Sequence, residues 1–172
     1  DDFQHEIWML EHPPVFTLGT AADKQHILDA KNIPVIQSDR GGEVTYHGPG
    51  KLVIYLMIDV KRSKLGPKSL VKTLQEFNRT LLANYAIESN FVDGAPGVYV
   101  NGKKIASIGL RISKGKTYHG ISINVDMDLT PFSYINPCGY EGLEVAQIKD
   151  FKKDITIKEV ERLAIKLIEP IF

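Results

Sequence analysis

Cys138, the only cysteine of the chain, lies in the sequence Asn-Pro-Cys-Gly-Tyr at residues 136–140. A proline before it and a glycine after it predict a sharp, fixed turn. A side chain on such a turn can point into a pocket instead of lying along a strand. The thiol is therefore a candidate nucleophile, although a lone cysteine is often a small buried hydrophobic residue without chemistry.

A glycine-rich segment, Arg-Gly-Gly-Glu-Val-Thr-Tyr-His-Gly-Pro-Gly at residues 40–50, is the second candidate. Adjacent glycines let a backbone approach a ligand closely and leave its N–H groups free to bind it. Arg40 is suited to grip an anionic or carbonyl group, and His47 to donate a hydrogen bond or move a proton. A tight surface loop with a structural histidine fits equally well. The glycine spacing matches neither a Walker motif nor a dinucleotide fingerprint.

Two lysines follow the turn residues Asn101 and Gly102. In a strand, Lys104 shares a face with Ala106 and with residue 108. If that face points inward, a small neighbour leaves room for a ligand beside a partly buried lysine. Such a lysine can favour a nearby thiolate or accept a proton. Alternation alone does not decide whether Lys103 or Lys104 faces inward.

The segment Tyr-His-Gly-Ile-Ser-Ile-Asn at residues 118–124 is the third candidate. A glycine within a strand often marks close approach of another backbone, so Gly120 is a candidate wall of a pocket. His119 could equally be a satisfied structural histidine. The sequence shows no metal-ligand spacing of His, Cys, Asp and Glu, and no serine nucleophile elbow.

Composition limits the class of protein. Of 172 residues, 43% are hydrophobic and 24% charged, as in a globular domain large enough to form a core. We therefore expect one domain over residues 1–172. Twenty-one basic residues balance twenty-one acidic ones, whereas a nucleic-acid binder usually shows a basic excess. No apolar run approaches a membrane span and no signal peptide is visible. A single cysteine fits a reducing compartment, the cytoplasm, or the mitochondrion in a eukaryote.

The hydrophobic pattern predicts both strands and helices. Apolar stretches at 7–10 and 15–18 predict short strands, and the run at 52–58 predicts a central strand covered on both faces. Helical spacing of apolar residues predicts a helix over about residues 68–85. A capping box at 156–159 begins a second helix, which Pro170 ends.

The residues between these elements predict their connections. Asn101-Gly102 is typical of a two-residue hairpin turn. With a second turn at 114–116, residues 98–125 are expected to form a three-stranded antiparallel meander. This order of strands and helices predicts an α+β fold with a mixed or antiparallel sheet.

In combination, these segments resemble the octanoyltransferase family, also called lipoyl(octanoyl) transferase or lipoate–protein ligase B. The matching motifs occur in the family's order: RGGEVTYHGPG at 40–50, APGVY at 95–99, KIASIG at 104–109, HGISIN at 119–124 and NPCG at 136–139. Each motif alone is weak, but the combination is highly specific and spans most of the chain. The resemblance implies the fold shared with lipoate ligase A and biotin protein ligase, a mixed β-sheet flanked by helices.

The resemblance also implies an activity in lipoate biosynthesis. The family transfers an octanoyl group from acyl carrier protein to a lysine of a lipoyl domain or of the glycine-cleavage H protein, without a cofactor. Cys138 would form the acyl thioester, and Lys104 would favour the thiolate and handle protons. The substrate-contacting residues that the resemblance implies are Arg40, Gly41, Gly42, Glu43, Val44, Thr45, Tyr46, His47, Ser107, Ile108, Gly109, Gly120, Ile121 and Ser122.

The chain departs from the family pattern in two places. Lys51 stands where a glutamine is common. Because this position lies just outside the core motif, we expect it to matter little. The family also usually has another strand and helix before the point where this chain starts, so we expect an incomplete N-terminus.

The implied chemistry is consistent with elementary energetics. Exchange of one thioester for another is nearly balanced in free energy, so acylation of a thiolate needs no ATP, and forming an amide drives the second step. Apolar residues near the loop and the meander would line a slot for the acyl chain. Because each buried methylene contributes about 0.8 kcal/mol, such a slot can select chain length by its depth.

Three alternatives remain open. The first is an ATP-dependent lipoate or biotin ligase on the same fold, which would need a nucleotide site and no catalytic cysteine. The second is a non-catalytic acyl-binding or carrier-docking module. In the third, Cys138 is inert and the glycines only shape loops. ATP dependence separates the first from an acyltransferase, and the reactivity and acylation of Cys138 separate the other two.

Overall fold

A computed structural model describes residues 4–63 and 65–172, so the opening Asp1 and Asp2 lie outside the described part. Within that part, the chain forms short 3-10 turns, two α-helices and eleven strands. In chain order these are β1 (Glu6–Leu10), β2 (Val15–Leu18), β3 (Val35–Gln37), β4 (Thr45–His47), β5 (Lys51–Met57), α1 (Pro67–Ala83), β6 (Asn90–Val92), β7 (Ala95–Val100), β8 (Lys103–Ile108), β9 (Arg111–Ser113), β10 (Lys116–Tyr118), β11 (Gly120–Asn124) and α2 (Ile157–Ile168).

Six strands form one antiparallel sheet in the order β1-β5-β11-β8-β7-β6. Alternate residues of β5 divide between its two faces. Leu52, Ile54 and Leu56 are buried in a core that the helices cover. Val53 and Tyr55 line a cavity. The predicted central strand, covered on both faces, is confirmed.

Both helices pack together and against this large sheet. Helix α1 has Pro67 in its first turn, where the missing N–H costs no hydrogen bond. It buries Leu70, Leu74 and Leu81, and each buried leucine stabilises the fold by roughly 1.5–3 kcal/mol. Helix α2 begins after Thr156, whose side chain accepts the N–H of Glu159. Both predicted helices are therefore confirmed.

The predicted meander needs one correction. Strands β7, β8 and β11 are neighbours and antiparallel, as expected, and the Asn101-Gly102 turn joins the first two. The third strand, however, does not run unbroken from Tyr118. Strand β10 pairs with β9 in a separate hairpin, and His119, with a φ of 61°, breaks the chain before β11. A left-handed residue cannot continue a strand, so the hairpin leaves the large sheet there.

A smaller sheet has the order β3-β2-β4, with β2 parallel to β3 and antiparallel to β4. Its own core contains Phe16, Tyr46 and Phe132, whose rings pack at centroid distances of 5.5 and 5.6 Å. The sheet lies over the face of the large sheet that the helices leave open. The expected α+β fold with a mixed sheet is therefore confirmed, the parallel pair being in this smaller sheet.

Over residues 4–63 and 65–172, neither α1 nor α2 combines the length and the apolar character that a membrane-crossing helix requires.

Candidate active site

Cys138 lies on the sharp turn that the sequence predicts. It has φ 56° and ψ 23° within a 3-10 turn over Pro137–Gly139. This left-handed conformation is costly for a residue with a side chain, so surrounding contacts must hold it. The Cys138 N–H donates to the carbonyl of Val44 at 3.0 Å, and the Gly139 N–H donates to that of Asn136 at 3.0 Å. These bonds fix the direction of the thiol.

The partner of the thiol is Lys104, whose Nζ lies 3.0 Å from Sγ of Cys138. Lys104 is buried, with 5% of its surface exposed, and its ammonium also lies 5.5 Å from the ring centroid of Tyr99. Lys103 instead points outward and pairs with Glu144 at 3.2 Å. Lys104 therefore faces inward and Lys103 outward, a choice that the alternation of strand residues alone did not decide.

Backbone hydrogen bonds join the lysine to the segment that follows the cysteine turn. The N–H of Lys104 donates to the carbonyl of Glu144 at 2.9 Å, and the N–H of Ala146 donates to that of Lys104 at 3.0 Å. Residues 144–146 therefore pair with β8 through one parallel bridge, between Lys104 and Val145. These bonds hold residues 144–146, which follow the cysteine turn, against β8. They therefore help to keep Cys138 close to Lys104.

A cavity of about 580 Å³ lies between the two sheets, a volume typical of small-molecule sites. Nine of the predicted substrate-contacting residues line it: Arg40, Thr45, His47, Ser107, Ile108, Gly109, Gly120, Ile121 and Ser122. Cys138 and Lys104 are not part of its lining. They adjoin it, because Lys104 lies on β8, which carries lining residues, and Val44, which accepts the Cys138 N–H, directly precedes the lining residue Thr45.

Gly120 shows why a glycine is needed in this wall. A Cβ atom there would lie 2.0 Å from the carbonyl oxygen of Ile54. Strands β5 and β11 could not approach to this distance with any other residue. The expected close approach of backbones at Gly120 is confirmed.

The remaining predicted residues are not part of the cavity lining: Gly41, Gly42, Glu43, Val44 and Tyr46. Val44 and Tyr46 are buried in the core of the smaller sheet. A Cβ at Gly41 would lie 2.6 Å from the carbonyl oxygen of Leu110, so this glycine permits close packing of the loop. These five residues support the site, and their contact with a substrate stays a prediction.

The guanidinium group of Arg40 is hydrogen-bonded to the protein's own backbone. Its guanidinium donates to the carbonyls of Thr17 and Glu43 at 2.7 Å and to that of Gly41 at 2.9 Å. Burial lowers the pKa of Arg40, opposed by the nearby Cys138 and Glu43. Arg40 therefore holds the glycine-rich loop in place and contributes positive charge near the thiol.

A ring cluster lines the same cavity. His12 is hydrogen-bonded to the hydroxyl of Tyr55 at 2.7 Å, and its ring lies 5.5 Å from that of His47. Burial, followed by the charge of Lys51, holds the pKa of His47 well below its usual range. His47 is therefore neutral at neutral pH, and its buried Nδ1 has no hydrogen-bond partner among the described residues.

Sequence reasoning missed several residues of the cavity, which are His12, Val15, Thr17, Ile36, Gln37, Ser38, Asp39, Val53 and Tyr55. Alternation along β5 could have identified Val53 and Tyr55, because they face away from the helix-covered core. Nothing in the sequence of residues 12–17 and 36–39 indicates that they line a cavity. His119 is bonded to Asp39 at 2.7 Å at the cavity wall, so it has both a structural partner and a place in the site.

Sequence reasoning also did not place Lys51 in the interior. Its side chain is fully buried, with 1% exposed. Its Nζ donates to the carbonyl of Tyr46 at 2.6 Å. A buried amine at this place is part of the electrostatics of the site.

Within residues 4–63 and 65–172, no three side chains of the metal-binding types come together in a group that could hold an ion.

Solved structures share this architecture. A bi-partite lipoate protein ligase from Thermoplasma acidophilum has a TM-score of 0.79 at 18% identity, over 99% of this chain and 72% of its own. A biotin protein ligase from Aquifex aeolicus has a TM-score of 0.61 at 19% identity, over 90% and 69%. The fold is thus that of the lipoate and biotin ligase catalytic domains.

Sequence comparison is more specific. A model of the lipoyl protein ligase A/B catalytic domain matches residues 2–169. The octanoyltransferase of Francisella tularensis subsp. novicida (strain U112) is 54% identical over 158 residues, covering 91% of this chain and 77% of the relative. The chain belongs to the lipoyl protein ligase A/B catalytic-domain family and is an octanoyltransferase, an enzyme of acyl transfer in lipoate biosynthesis.

Proposed function

We propose that the enzyme moves an octanoyl group from acyl carrier protein to a lysine of a lipoyl domain or of the glycine-cleavage H protein, through a thioester on Cys138. The observation that carries this proposal is the 3.0 Å contact between the Lys104 ammonium and the Cys138 sulfur. A cation beside a thiol favours the thiolate, which is the nucleophilic form.

In the first step, the Cys138 thiolate attacks the carbonyl carbon of the octanoyl thioester. A new carbon–sulfur bond forms and the bond to the carrier's sulfur breaks. The departing thiolate takes one proton, which Lys104 can supply because its Nζ lies beside the reacting sulfur. The products are the acyl-enzyme, the carrier's free thiol and a neutral lysine.

In the second step, the amine of the acceptor lysine attacks the acyl-enzyme. A carbon–nitrogen bond forms, the carbon–sulfur bond breaks, and Cys138 leaves as the thiolate. The attacking nitrogen loses one proton to neutral Lys104, which restores the starting ion pair. The acceptor's other excess proton, lost when its ammonium becomes an amine, goes to water.

The oxyanion of each step needs hydrogen-bond donors. The N–H groups of Cys138 and Gly139 are already bonded to carbonyls. The N–H groups of Gly41 and Gly42 donate to no described residue, so the glycine-rich loop supplies the donors in our proposal. The cavity between the sheets, with Val53, Ile108 and Ile121 in its walls, would hold the acyl chain.

We place this reaction in the cytoplasm, and in the mitochondrion if the source is eukaryotic. A free, partly exposed thiol supports a reducing compartment. We also propose that residues 1–172 act as one catalytic domain, because both sheets contribute to one cavity.

Intact mass spectrometry tests the proposal. The protein is mixed with octanoyl-acyl carrier protein, without ATP and without an acceptor. We expect a gain of one octanoyl group that maps to Cys138 and is released by hydroxylamine. Cys138→Ser should lose transfer, because a serine hydroxyl is not ionised near neutral pH.

A folded protein whose thiol reacts with iodoacetamide but gains no octanoyl group would overturn the proposal. Transfer from free octanoate that requires ATP would then indicate a ligase. Tight binding of the acyl chain without turnover would indicate an acyl-binding module.

A further inference from the structure

Lys51 is the most deeply buried ionisable side chain near the site. It lies at the start of β5, directly after the turn Gly48-Pro49-Gly50, which is closed by a hydrogen bond from the Lys51 N–H to the Gly48 carbonyl. Gly50 has a φ of 86°, and a Cβ there would lie 1.8 Å from the carbonyl oxygen of Asp126, so the turn requires glycine. This geometry sends the Lys51 side chain into the interior instead of into solvent.

The interior holds the Lys51 amine with few polar contacts. Its Nζ lies 2.6 Å from the carbonyl oxygen of Tyr46, 3.5 Å from Oγ1 of Thr45 and 5.2 Å from the ring centroid of Phe132. No carboxylate pairs with it among the described residues. A buried ammonium without a negative partner is costly, so the amine keeps its proton only where a nearby negative group stabilises the charge.

The group that can balance this charge is Cys138. Residues 44–46 connect the two: the carbonyl of Val44, directly before β4, accepts the Cys138 N–H, and the carbonyl of Tyr46, two residues on, accepts a hydrogen bond from Nζ of Lys51. The other charged or titratable groups around Lys51 are Arg40, Lys104, His47 and His12. Three basic groups, Arg40, Lys51 and Lys104, and one acidic group, the thiol, thus lie close enough to influence one another's charge.

We propose that Lys51 is a positioning residue whose buried ammonium, fixed on β4 behind the Cys138–Lys104 pair, supplies a second positive charge that holds Cys138 as the thiolate. This inference rests on the proposed role of Cys138 as nucleophile. It assigns a role in the reaction to a residue outside the Cys138–Lys104 pair.

The proton equilibrium of Lys51 agrees with this geometry. Burial lowers the pKa of Lys51 to about 7, the charge of Cys138 opposes that shift, and Arg40 and Lys104 add to it. Below about pH 7 the ammonium is present and supports the thiolate. Above that pH the amine is neutral and the support is lost, so the contribution of Lys51 belongs to neutral and mildly acidic conditions.

Alkylation of Cys138 by iodoacetamide provides a test that needs no acyl transfer. Lys51→Gln keeps a hydrogen-bond donor for Tyr46 and removes the charge. We expect its alkylation rate to fall about tenfold at about pH 6 and to equal the wild-type rate near pH 10, where the thiol ionises without help. Lys103→Gln, which removes an exposed charge, should follow the wild-type profile at both pH values.

A second measurement uses the unmutated protein, so it does not depend on the variant folding. The Cε resonance of Lys51 is titrated by NMR before and after alkylation of Cys138. Alkylation removes the thiolate charge, so we expect the titration midpoint of Lys51 to fall by about one pH unit.

Either of two results would overturn the proposal. One is a folded Lys51→Gln protein with the wild-type alkylation profile, and the other is a Lys51 midpoint that alkylation does not move. A failure of Cys138 to accept octanoate would instead count against the proposed function, because alkylation and the NMR titration do not require that reaction.

Discussion

At the scale of single residues, the contrast between two adjacent lysines is the sharpest feature of the site. Lys104 reaches the thiol from a buried position, whereas Lys103 pairs with Glu144 at the surface. They have the same side chain one position apart on β8, so each serves as the control for the other.

Lys104→Ala should therefore lower octanoyl transfer by about 10²–10⁴-fold, the usual contribution of a positioned acid–base group. Lys103→Ala should change the rate little, because it removes only an exposed ion pair. The measurement is the initial rate of octanoyl transfer to a lipoyl domain, with circular dichroism as a check that both variants fold. Equal rates for the two variants would remove Lys104 from the mechanism.

The same residues show where sequence reasoning stops. Alternation could not choose between Lys103 and Lys104, because β8 is covered on both faces and Ile105 is as buried as Lys104. Only the resemblance selected Lys104. The burial of Lys51 could not be predicted for a different reason: a lysine after a Gly-Pro-Gly turn usually points to solvent, and nothing local shows that this turn packs against Asp126.

At the scale of elements, β7 and β8 set the position of Lys104. Gly97 on β7 has a φ of 142°, and a Cβ there would lie 2.5 Å from Cε of Lys104 and 2.6 Å from the carbonyl oxygen of Ala106. The absence of a side chain at this point leaves the channel through which Lys104 reaches Cys138.

Gly97→Ala should therefore displace Lys104 as well as strain the backbone. We expect a loss of roughly 1–3 kcal/mol in the free energy of unfolding and about a hundredfold loss of transfer rate. Gly94→Ala is the matched control, because Gly94 also has a positive φ, 76°, but nothing lies within 4 Å of its Cβ. Urea unfolding and transfer rates should show a stability loss in both variants and a large rate loss only in Gly97→Ala.

Equal rate losses in the two variants would mean that backbone strain, and not the path of Lys104, explains the effect. A Gly97→Ala enzyme with the wild-type rate would show that Lys104 reaches the thiol by another route.

Elements with local signals could be predicted, and those that depend on distant contacts could not. The Asn101-Gly102 turn and the Thr156 cap each act within a few residues, so the sequence identified both. The parallel pairing of β2 with β3 joins Phe16 to Val35 and has no local signature. The sequence therefore did not predict the position of the smaller sheet over the larger one. It also did not predict the half of the cavity wall that the smaller sheet and its neighbouring segments form.

At the scale of the whole molecule, basic and acidic residues are equal in number but unevenly distributed over the structure. The formal net charge is zero, yet Arg40, Lys51 and Lys104 converge on one region. Burial of a lysine destabilises the folded state relative to the unfolded state, because the amine of the unfolded chain lies in water, where it is readily protonated.

This arrangement predicts how stability depends on pH. The pKa of Lys51 is about 7 in the folded protein and about 10.4 in an unfolded chain. Between these values the unfolded state binds a proton that the folded state does not, so stability rises with pH across this window. Below about pH 7 both states are protonated and the penalty is constant; above about pH 10.4 it is absent.

The measurement compares Cys138→Ala with the double variant Cys138→Ala/Lys51→Met, so that titration of the thiol does not contribute. Urea unfolding of the first should give a free energy that rises by about 2–3 kcal/mol more than that of the second between about pH 7 and pH 9. Other titrating groups are common to both variants and cancel in the difference. Parallel curves would show that Lys51 keeps its proton throughout this range. If Lys51 kept its proton there, its ammonium would be stabilised by more negative charge than the described side chains provide.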